Sequence, residues 1–563
     1  MSVLSEFTEH LLAEFPPRIH LALEIAVPLA AALGFILWRQ RASGRLEALT
    51  NAFRKLALRR GACFALVALF PLAIRLAMLS WWGVPVPYIH DDFAHLLLAD
   101  TFIHGRLANP PHPMAKHLET IYVIQSPTYS SAYPPGTAFA LAAGTWLTGV
   151  PWAGIALTAS LMCATTYWML LAWIGPPWAL LGGLLTACVF GVTSAWVNTY
   201  SGGALAGVGG ALVLGALPRL MRRPTVALGA WMGLGIGMIF FIRPYECLSV
   251  VLICSVVLLR TFTRLDRAGG IRLLRSCGGA APVLAGVLLL TLFHNWRVSG
   301  NPFEMPYRIL QQVQGTPQSF LFQKPVIVPP SDIPEMEDVR RRFLQVRLNV
   351  ATVPGYVRHV LGMFLLMFTT FVGFHFLPAL PGILLSRRRE VRLAVMILVI
   401  GLLPCFLYGW FYTRYLTHYV CITVFLAVAG LQAMRHATIK GLAVGEAVIV
   451  YVGFACAMIA LRGPVGSLTG GRGFLLMERT ERSEVAQQLL KRPGRHLVFV
   501  KFGPEHSYMN QWIANSAEVD TSPIVWARAL DPESDRRAVE YWKERDVWDV
   551  FADESPPRLV RIK

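Results

Sequence analysis

Two adjacent carboxylates, Asp91 and Asp92, stand in the stretch 86–136, VPYIHDDFAHLLLADTFIHGRLANPPHPMAKHLETIYVIQSPTYSSAYPPG, between strongly apolar runs. The stretch also holds Asp100, Glu119 and the histidines His90, His95, His104, His112 and His117. Bilayer hydrocarbon does not tolerate such a segment, and a plain connector does not need its length. Asp91 and Asp92 open a short run in which Phe93, Leu96 and Leu97 recur at helical spacing, and Gly105 closes it as a C-cap glycine would. The carboxylates therefore belong on the first turn of a helix at the membrane surface, where one of them can take a proton from a bound hydroxyl. Neighbours on a helix point about 100° apart, so the two cannot face each other as the carboxylates of a glycosidase do. One is expected to be a base and the other an orienting or structural acid; simple helix capping is the competing reading for either. The histidines lack the compact spacing of a metal-ligand set, and neither metal nor cofactor is expected.

The elements that carry this pair are those of a membrane protein. The chain has 563 residues, of which 15% are charged, and a mean hydropathy of +0.50. That composition predicts an α-helical polytopic membrane protein. Apolar spans run near 20–38, 61–82, 152–173, 178–197, 200–217, 226–242, 245–260, 279–295, 358–384, 391–411, 417–434 and 440–461. These make about twelve helices, with 136–149 a doubtful thirteenth. The formal net charge of +18 does not indicate nucleic acid, because the positive residues form short clusters between apolar runs. The clusters at 39–60, 218–225, 260–275, 385–392 and 435–440 are expected on the cytoplasmic side. Strict alternation then works only if 136–149 lies in or dips into the outer interface rather than crossing.

This arrangement divides the chain into a membrane domain, 1–462, and an outer domain, 463–563. A large first loop, 83–151, and a second, 296–357, share the outer side with that domain. Within 463–563, HLVFVKF, SPIVWARAL and DVWDVFAD read as strands, and SEVAQQLLK and ESDRRAVEYWKER as helices, so a small α/β fold is expected. The nine cysteines lie nearly all in apolar runs and read as inert packing residues. The N-terminus, MSVLSEFTEHLLAEF, has no basic n-region and does not read as a cleavable signal peptide.

The first outer loop, with an acidic pair opening a juxtamembrane helix and then a Pro-Pro turn, resembles the GT-C superfamily of integral membrane glycosyltransferases. Protein O-mannosyltransferases, the aminoarabinose transferases of lipid A and bacterial lipopolysaccharide-core transferases are members. The runs ADTFIHGRLANPPHP, NTYSGGALAG at 198–207 and IRPYE at 242–246 are similar to those of a bacterial branch of it. The family pair is usually Asp-Glu; here Asp91 matches the aspartate and Asp92 replaces the glutamate. The turn is Tyr133-Pro134-Pro135, and Tyr133 stands where some members place a lysine near the donor phosphate. The resemblance implies a polyprenyl-phosphate-linked sugar donor, inversion at the anomeric carbon, and an envelope glycan, lipid or protein acceptor. It also implies a bacterial cytoplasmic membrane with the active site and the C-terminal domain facing the periplasm.

Sugar transfer from a lipid phosphate needs a base, groups that receive the departing phosphate, and an apolar groove for the lipid. Asp91 is the expected base. With tyrosine at position 133, the phosphate must be met elsewhere. Arg243, oriented by Glu246, is the first expected ligand, and Arg414 with His418 the second, since a guanidinium suits a phosphate; snorkelling to headgroups is the alternative. His117 and Tyr200 are further substrate-binding candidates, against headgroup contact for the first and close helix packing for the second. Two other function classes compete. A secondary transporter should show repeated halves with acids in mid-helix, and neither is found. A non-enzymatic scaffold for envelope assembly should survive loss of Asp91.

Overall fold

The computed structural model describes residues 18–462 and 480–563, except 40, 42, 316–319, 325, 327, 332, 410, 505 and 508. The acidic N-terminal segment and the first part of the expected outer domain therefore lie outside the described residues. Among the described residues, eight helices are long and apolar enough to cross a membrane: Arg60–Ser80, Pro151–Trp173, Ala204–Arg222, Pro244–Phe262, Arg267–Ser299, Val353–Leu385, Arg389–Leu407 and Thr413–Met434. The bent pair Ala22–Trp38 and Ser43–Leu58 adds up to one more, and Pro176–Phe190, Val226–Phe240 and Val444–Ala460 are shorter apolar helices. Each of the twelve expected spans thus has a helix, and the chain is a multi-pass membrane protein.

Three boundaries differ from the sequence reading, each for a local reason. The basic segment 39–60 contains a helix, Ser43–Leu58, because Ala, Leu, Arg and Lys favour one. The span expected at 178–197 ends as a helix at Phe190. The next long helix does not begin until Ala204, because Gly202 (φ +62°) and Gly203 (φ +117°) occupy a backbone region open mainly to glycine. Residues 191–203 form a strap instead, irregular apart from the short helix Ala195–Asn198.

Small residues bring the helices together. A Cβ on Gly154 would lie 1.7 Å from Ala140 O, and one on Gly235 would lie 2.5 Å from Gly209 O. Close backbone approach of this kind replaces the hydrophobic driving force that membrane helices lack. The helix Gly136–Thr148 packs through this contact. At 13 residues it is about 20 Å long, shorter than the hydrocarbon core.

The first loop carries the helix His90–Ile103, then a small antiparallel hairpin, β1 Val123–Ile124 and β2 Ser130–Ser131. The C-terminal region forms a sheet of β3 His496–Lys501, β4 Ile524–Arg528, β5 Asp546–Phe551 and β6 Arg558–Arg561, in the order β4-β3-β5-β6. β3 is parallel to β4 and β5, and the added β6 is antiparallel to β5. Helices Glu481–Leu490 and Pro532–Tyr541 complete it. This α/β unit docks directly on the first loop. Ala517 N–H donates to Asp100 Oδ2 at 2.7 Å, His112 Nε2 lies 3.1 Å from Asp520 Oδ1, and Arg106 pairs with Glu518. The Arg482 guanidinium sits between Phe93 and Trp526, 4.8 and 4.7 Å from their ring centres. The helix that bears the acidic pair is thus held from the membrane side by the bundle and from the other by this unit.

Candidate active site

The helix His90–Ile103 starts from Ile89, whose extended backbone supplies no side-chain cap. Asp91 and Asp92, buried in its first turn, take two different environments, as their angular separation requires. Asp92 accepts backbone donors: Tyr88 N–H at 3.3 Å, Tyr200 N–H at 3.0 Å and Ser201 N–H at 2.9 Å. It closes the helix start and ties it to the 191–203 strap. Asp91 instead meets side chains. The Tyr133 phenol donates to Oδ1 at 2.5 Å, and the Arg414 guanidinium pairs with Oδ2.

Arg414 comes from the 3₁₀ turn Thr413–Tyr419. It also donates to Ser201 Oγ at 3.1 Å and lies 4.7 Å over the Tyr412 ring. Arg243 ends the preceding turn at the start of Pro244–Phe262. It pairs with Glu246 at 3.5 Å and lies 4.2 Å over Tyr415. The Nε atoms of both arginines are buried without a hydrogen-bond partner among the described residues. His95, one helical turn beyond Asp91, stacks on Tyr133 with ring centres 4.5 Å apart.

Electrostatics separates the two acids further. Burial pushes the Asp91 carboxyl up, but the Arg414 charge and the Tyr133 hydrogen bond outweigh it and hold its pKa below the ordinary value. Burial pushes Asp92 up to about 6, reinforced by the neighbouring Asp91 charge and opposed by the Tyr88 and Tyr200 N–H groups. Burial lowers His95 to about 3, helped by Arg414 and Arg243 against Asp91. At neutral pH the centre is therefore an ionised Asp91 beside a neutral imidazole and two guanidinium groups.

Two residues read as substrate contacts have other partners, and a third, His418, has neither ring nitrogen hydrogen-bonded among the described residues. His117 faces the C-terminal unit, with Nδ1 2.8 Å from Arg528 O and Nε2 3.2 Å from Ser534 O. Both ring nitrogens lie at the docking interface with the C-terminal unit. The Tyr200 hydroxyl donates to Pro85 O at 2.8 Å, which makes it a brace of the strap. His418 is buried beside Tyr419, and its own backbone closes against the helix Ala204–Arg222, where a Cβ on Gly210 would lie 1.9 Å from His418 O. Its packing is that of a helix crossing. Tyr133 is at the centre, as a partner of Asp91.

Sequence reasoning missed His95, although its spacing of four from Asp91 was visible. It also left Ser201, Tyr122, Tyr412 and Tyr415 without a site role, since a lone serine or tyrosine carries no spacing signal. Among the described residues no three His, Cys, Asp or Glu side chains converge as metal ligands.

Comparisons with known proteins give a structural likeness without a sequence one. No family model and no curated protein matches the chain. The oligosaccharyltransferase of Archaeoglobus fulgidus, solved with zinc and sulfate, is 12% identical over 87% of this chain and 68% of its own, with a TM-score of 0.49. ArnT from Cupriavidus metallidurans, bound to undecaprenyl phosphate, is 12% identical over 87% of this chain and 93% of its own, with a TM-score of 0.48.

Proposed function

We propose that the protein is a GT-C-like glycosyltransferase that moves a sugar from a polyprenyl-phosphate donor to an envelope acceptor on the outer face of a cytoplasmic membrane. The observation that carries this reading is the Asp91 carboxylate, buried and gripped by Tyr133 and Arg414, with Arg243 within electrostatic reach of the neighbouring His95. A base, two guanidinium groups with spare N–H donors and an apolar bundle are the three requirements of sugar transfer from a lipid phosphate.

In this reading the acceptor hydroxyl attacks the anomeric carbon while its proton passes to Asp91. The bond from that carbon to the phosphate oxygen breaks on the opposite side, and the electron pair leaves with the lipid phosphate. Arg243 and Arg414 receive the growing negative charge. Tyr133 orients Asp91, and His95, neutral and stacked on Tyr133, keeps the phenol in place. Asp92 fixes the helix start. The test is mass spectrometry of lipid-linked sugars and surface glycans in a strain lacking the protein, complemented with wild type or with Asp91→Asn. Accumulation of one lipid-linked sugar with loss of one envelope modification, restored by wild type alone, is expected. Unaltered glycans and lipid-linked pools would refute the reading.

A further inference from the structure

Tyr122 is a large side chain held where large side chains rarely go. Its φ is +63°, a region that glycine and asparagine enter readily and a bulky L-residue resists. Such a conformation persists only where its surroundings over-determine it, and it concentrates at ligand sites. Here the hairpin imposes it. Ala132 N–H donates to Tyr122 O at 3.0 Å, directly before the paired residues Val123 and Ser131. A glycine would satisfy that turn without strain, so the phenol needs its own reason.

The turn delivers the ring beside the acidic pair. Tyr122 lies 5.3 Å from Tyr133 and 6.5 Å from Tyr307 between ring centres, and its edge meets His90 at 6.5 Å. Tyr133 in turn holds Asp91. Burial raises the Tyr122 hydroxyl well above its usual range, and the neighbours that reinforce this are Tyr307, Asp91, Tyr412 and Tyr415. The hydroxyl is therefore neutral and within electrostatic reach of the base. The wall around Asp91 is made of phenols, whose rings offer flat apolar faces and whose hydroxyls both donate and accept.

The fixed charges beside this wall have partners, and in the proposed reading the spare arginine N–H groups serve the donor phosphate. Asp91 pairs with Arg414, Glu246 with Arg243, and Asp92 accepts three backbone N–H groups. A sugar bearing an ammonium or a carboxylate would have to compete with one of these partners, or with the donor phosphate for the spare arginine N–H groups, to find a counter-charge. An uncharged sugar needs only ring faces and hydroxyl partners.

The geometry points to Tyr122 as a residue that binds the sugar ring of the donor, in a phenol-lined subsite that takes an uncharged sugar. This inference rests on the proposed donor chemistry and adds the sugar class to it. The ring of Tyr122 also packs against three small apolar clusters, so the informative substitution is Tyr122→Phe, which keeps the wedge and removes only the hydroxyl.

The test is equilibrium binding to the full-length protein in nanodiscs. Four lipids are compared: bare undecaprenyl phosphate, and the same phosphate bearing a neutral hexose, an amino sugar with a free amine, or a uronic acid. The neutral hexosyl lipid is expected to bind more tightly than the bare lipid and than both charged ones. Tyr122→Phe, with an unchanged thermal midpoint, is expected to weaken the hexosyl lipid about three- to tenfold and leave the bare lipid within about twofold, the range for one lost hydrogen bond. Wild type that binds the bare and hexosyl lipids alike, or prefers a charged sugar, overturns the inference and leaves the donor reading standing. Tyr122→Phe that binds the hexosyl lipid as wild type does overturns the part given to the hydroxyl. Wild type that binds none of the four lipids overturns the donor reading and the inference together.

Discussion

Arg75 and Asn198 meet inside the helical bundle: the guanidinium Nε donates to the amide Oδ1 at 3.1 Å. The same guanidinium donates to Trp82 O at 3.1 Å and Gly83 O at 2.9 Å, and lies 4.7 Å over the Trp152 ring. Asn198 passes the connection on by donating to Val192 O and Ser194 O. Arg75 thus ties together the two segments that supply all three backbone donors of Asp92. One leads from residue 82 to Tyr88; the other is the strap that presents Tyr200 and Ser201. An arginine buried in a membrane helix persists only with such partners.

Removing it should therefore act on stability first. Arg75→Met leaves two buried acceptors and one part-buried acceptor unpaired and should cost about 2 kcal/mol or more. Arg75→Lys should recover little, because an ammonium cannot reproduce the fork that reaches three acceptors. Asn198→Ala should cost about 1–3 kcal/mol, and the double variant less than the sum, since the two share one network. Thermal unfolding in one detergent measures all three. Additive losses would mean that the two residues act independently.

Much of the site was legible because of what a bilayer forbids. Asp91 and Asp92 stand between apolar runs, so they had to lie at a surface, and helical spacing had to send them to different partners. Their partners were not legible. Tyr133 and Arg414 lie 42 and 323 residues from Asp91, and no local pattern pairs them. Tyr133 could be read as a missing lysine but not as the phenol that reaches Asp91. The strap was read as two apolar spans because hydropathy does not register the left-handed glycines that break them. The α/β unit was readable from alternating strands, but its edge strand Arg558–Arg561 is only 4 residues long, too short to show a period.

Charge distribution predicts sidedness. Single cysteines at Ser126 and Ser331, in a background without the native cysteines, should react with an impermeant thiol reagent from the outer side. One at Ser43, on the basic helix Ser43–Leu58, should react only after permeabilisation. The reverse pattern would invert the protein, and labelling of Ser126 and Ser331 from opposite sides would make Gly136–Thr148 or another helix count differently.

Asp92 gives a stability signature of unusual sign. Its pKa is raised to about 6 in the folded protein by burial, against about 3.9 unfolded. Between those values the folded state binds more protons than the unfolded state. Its contribution is therefore fully present below about 4 and is lost as pH rises through about 6. Wild type should lose on the order of 1–3 kcal/mol from this group across that window. Asp92→Asn cannot titrate, and its amide oxygen can still accept from Tyr200 and Ser201, so its melting temperature should be flatter over the same range. Parallel profiles for the two proteins would show that Asp92 is ionised throughout.

Arg243 separates donor binding from chemistry. Its partner Glu246 is close enough to orient it, and its buried Nε has no partner among the described residues. Arg243→Ala should weaken binding of undecaprenyl phosphate about tenfold, as expected for one lost charge-assisted hydrogen bond. Unchanged affinity would reduce Arg243 to an anchor at the headgroups.

Asp91 is the decisive position. Asn keeps the shape and can still accept the Tyr133 hydroxyl, but it cannot take a proton. Loss of a general base costs about a hundredfold to ten-thousandfold in rate, so Asp91→Asn should abolish detectable transfer while undecaprenyl phosphate still binds. The substitution also leaves Arg414 without its counter-charge, so the thermal midpoint should fall. Asp91→Asn combined with Arg414→Gln should regain part of that stability and no activity, which separates the ion pair from the base. Tyr133→Phe provides the finer check. The Tyr133 hydrogen bond lowers the Asp91 pKa, so its removal should raise that pKa and move the acid limb of kcat/KM to higher pH. The plateau near neutral pH should be kept if orientation by Tyr133 contributes little, and lowered if it contributes much. An acid limb that stays in place in Tyr133→Phe would assign the limb to another group. Near-normal turnover in Asp91→Asn, with loss in Asp92→Asn, would reverse the roles within the pair; near-normal turnover in both would remove catalysis from this helix altogether.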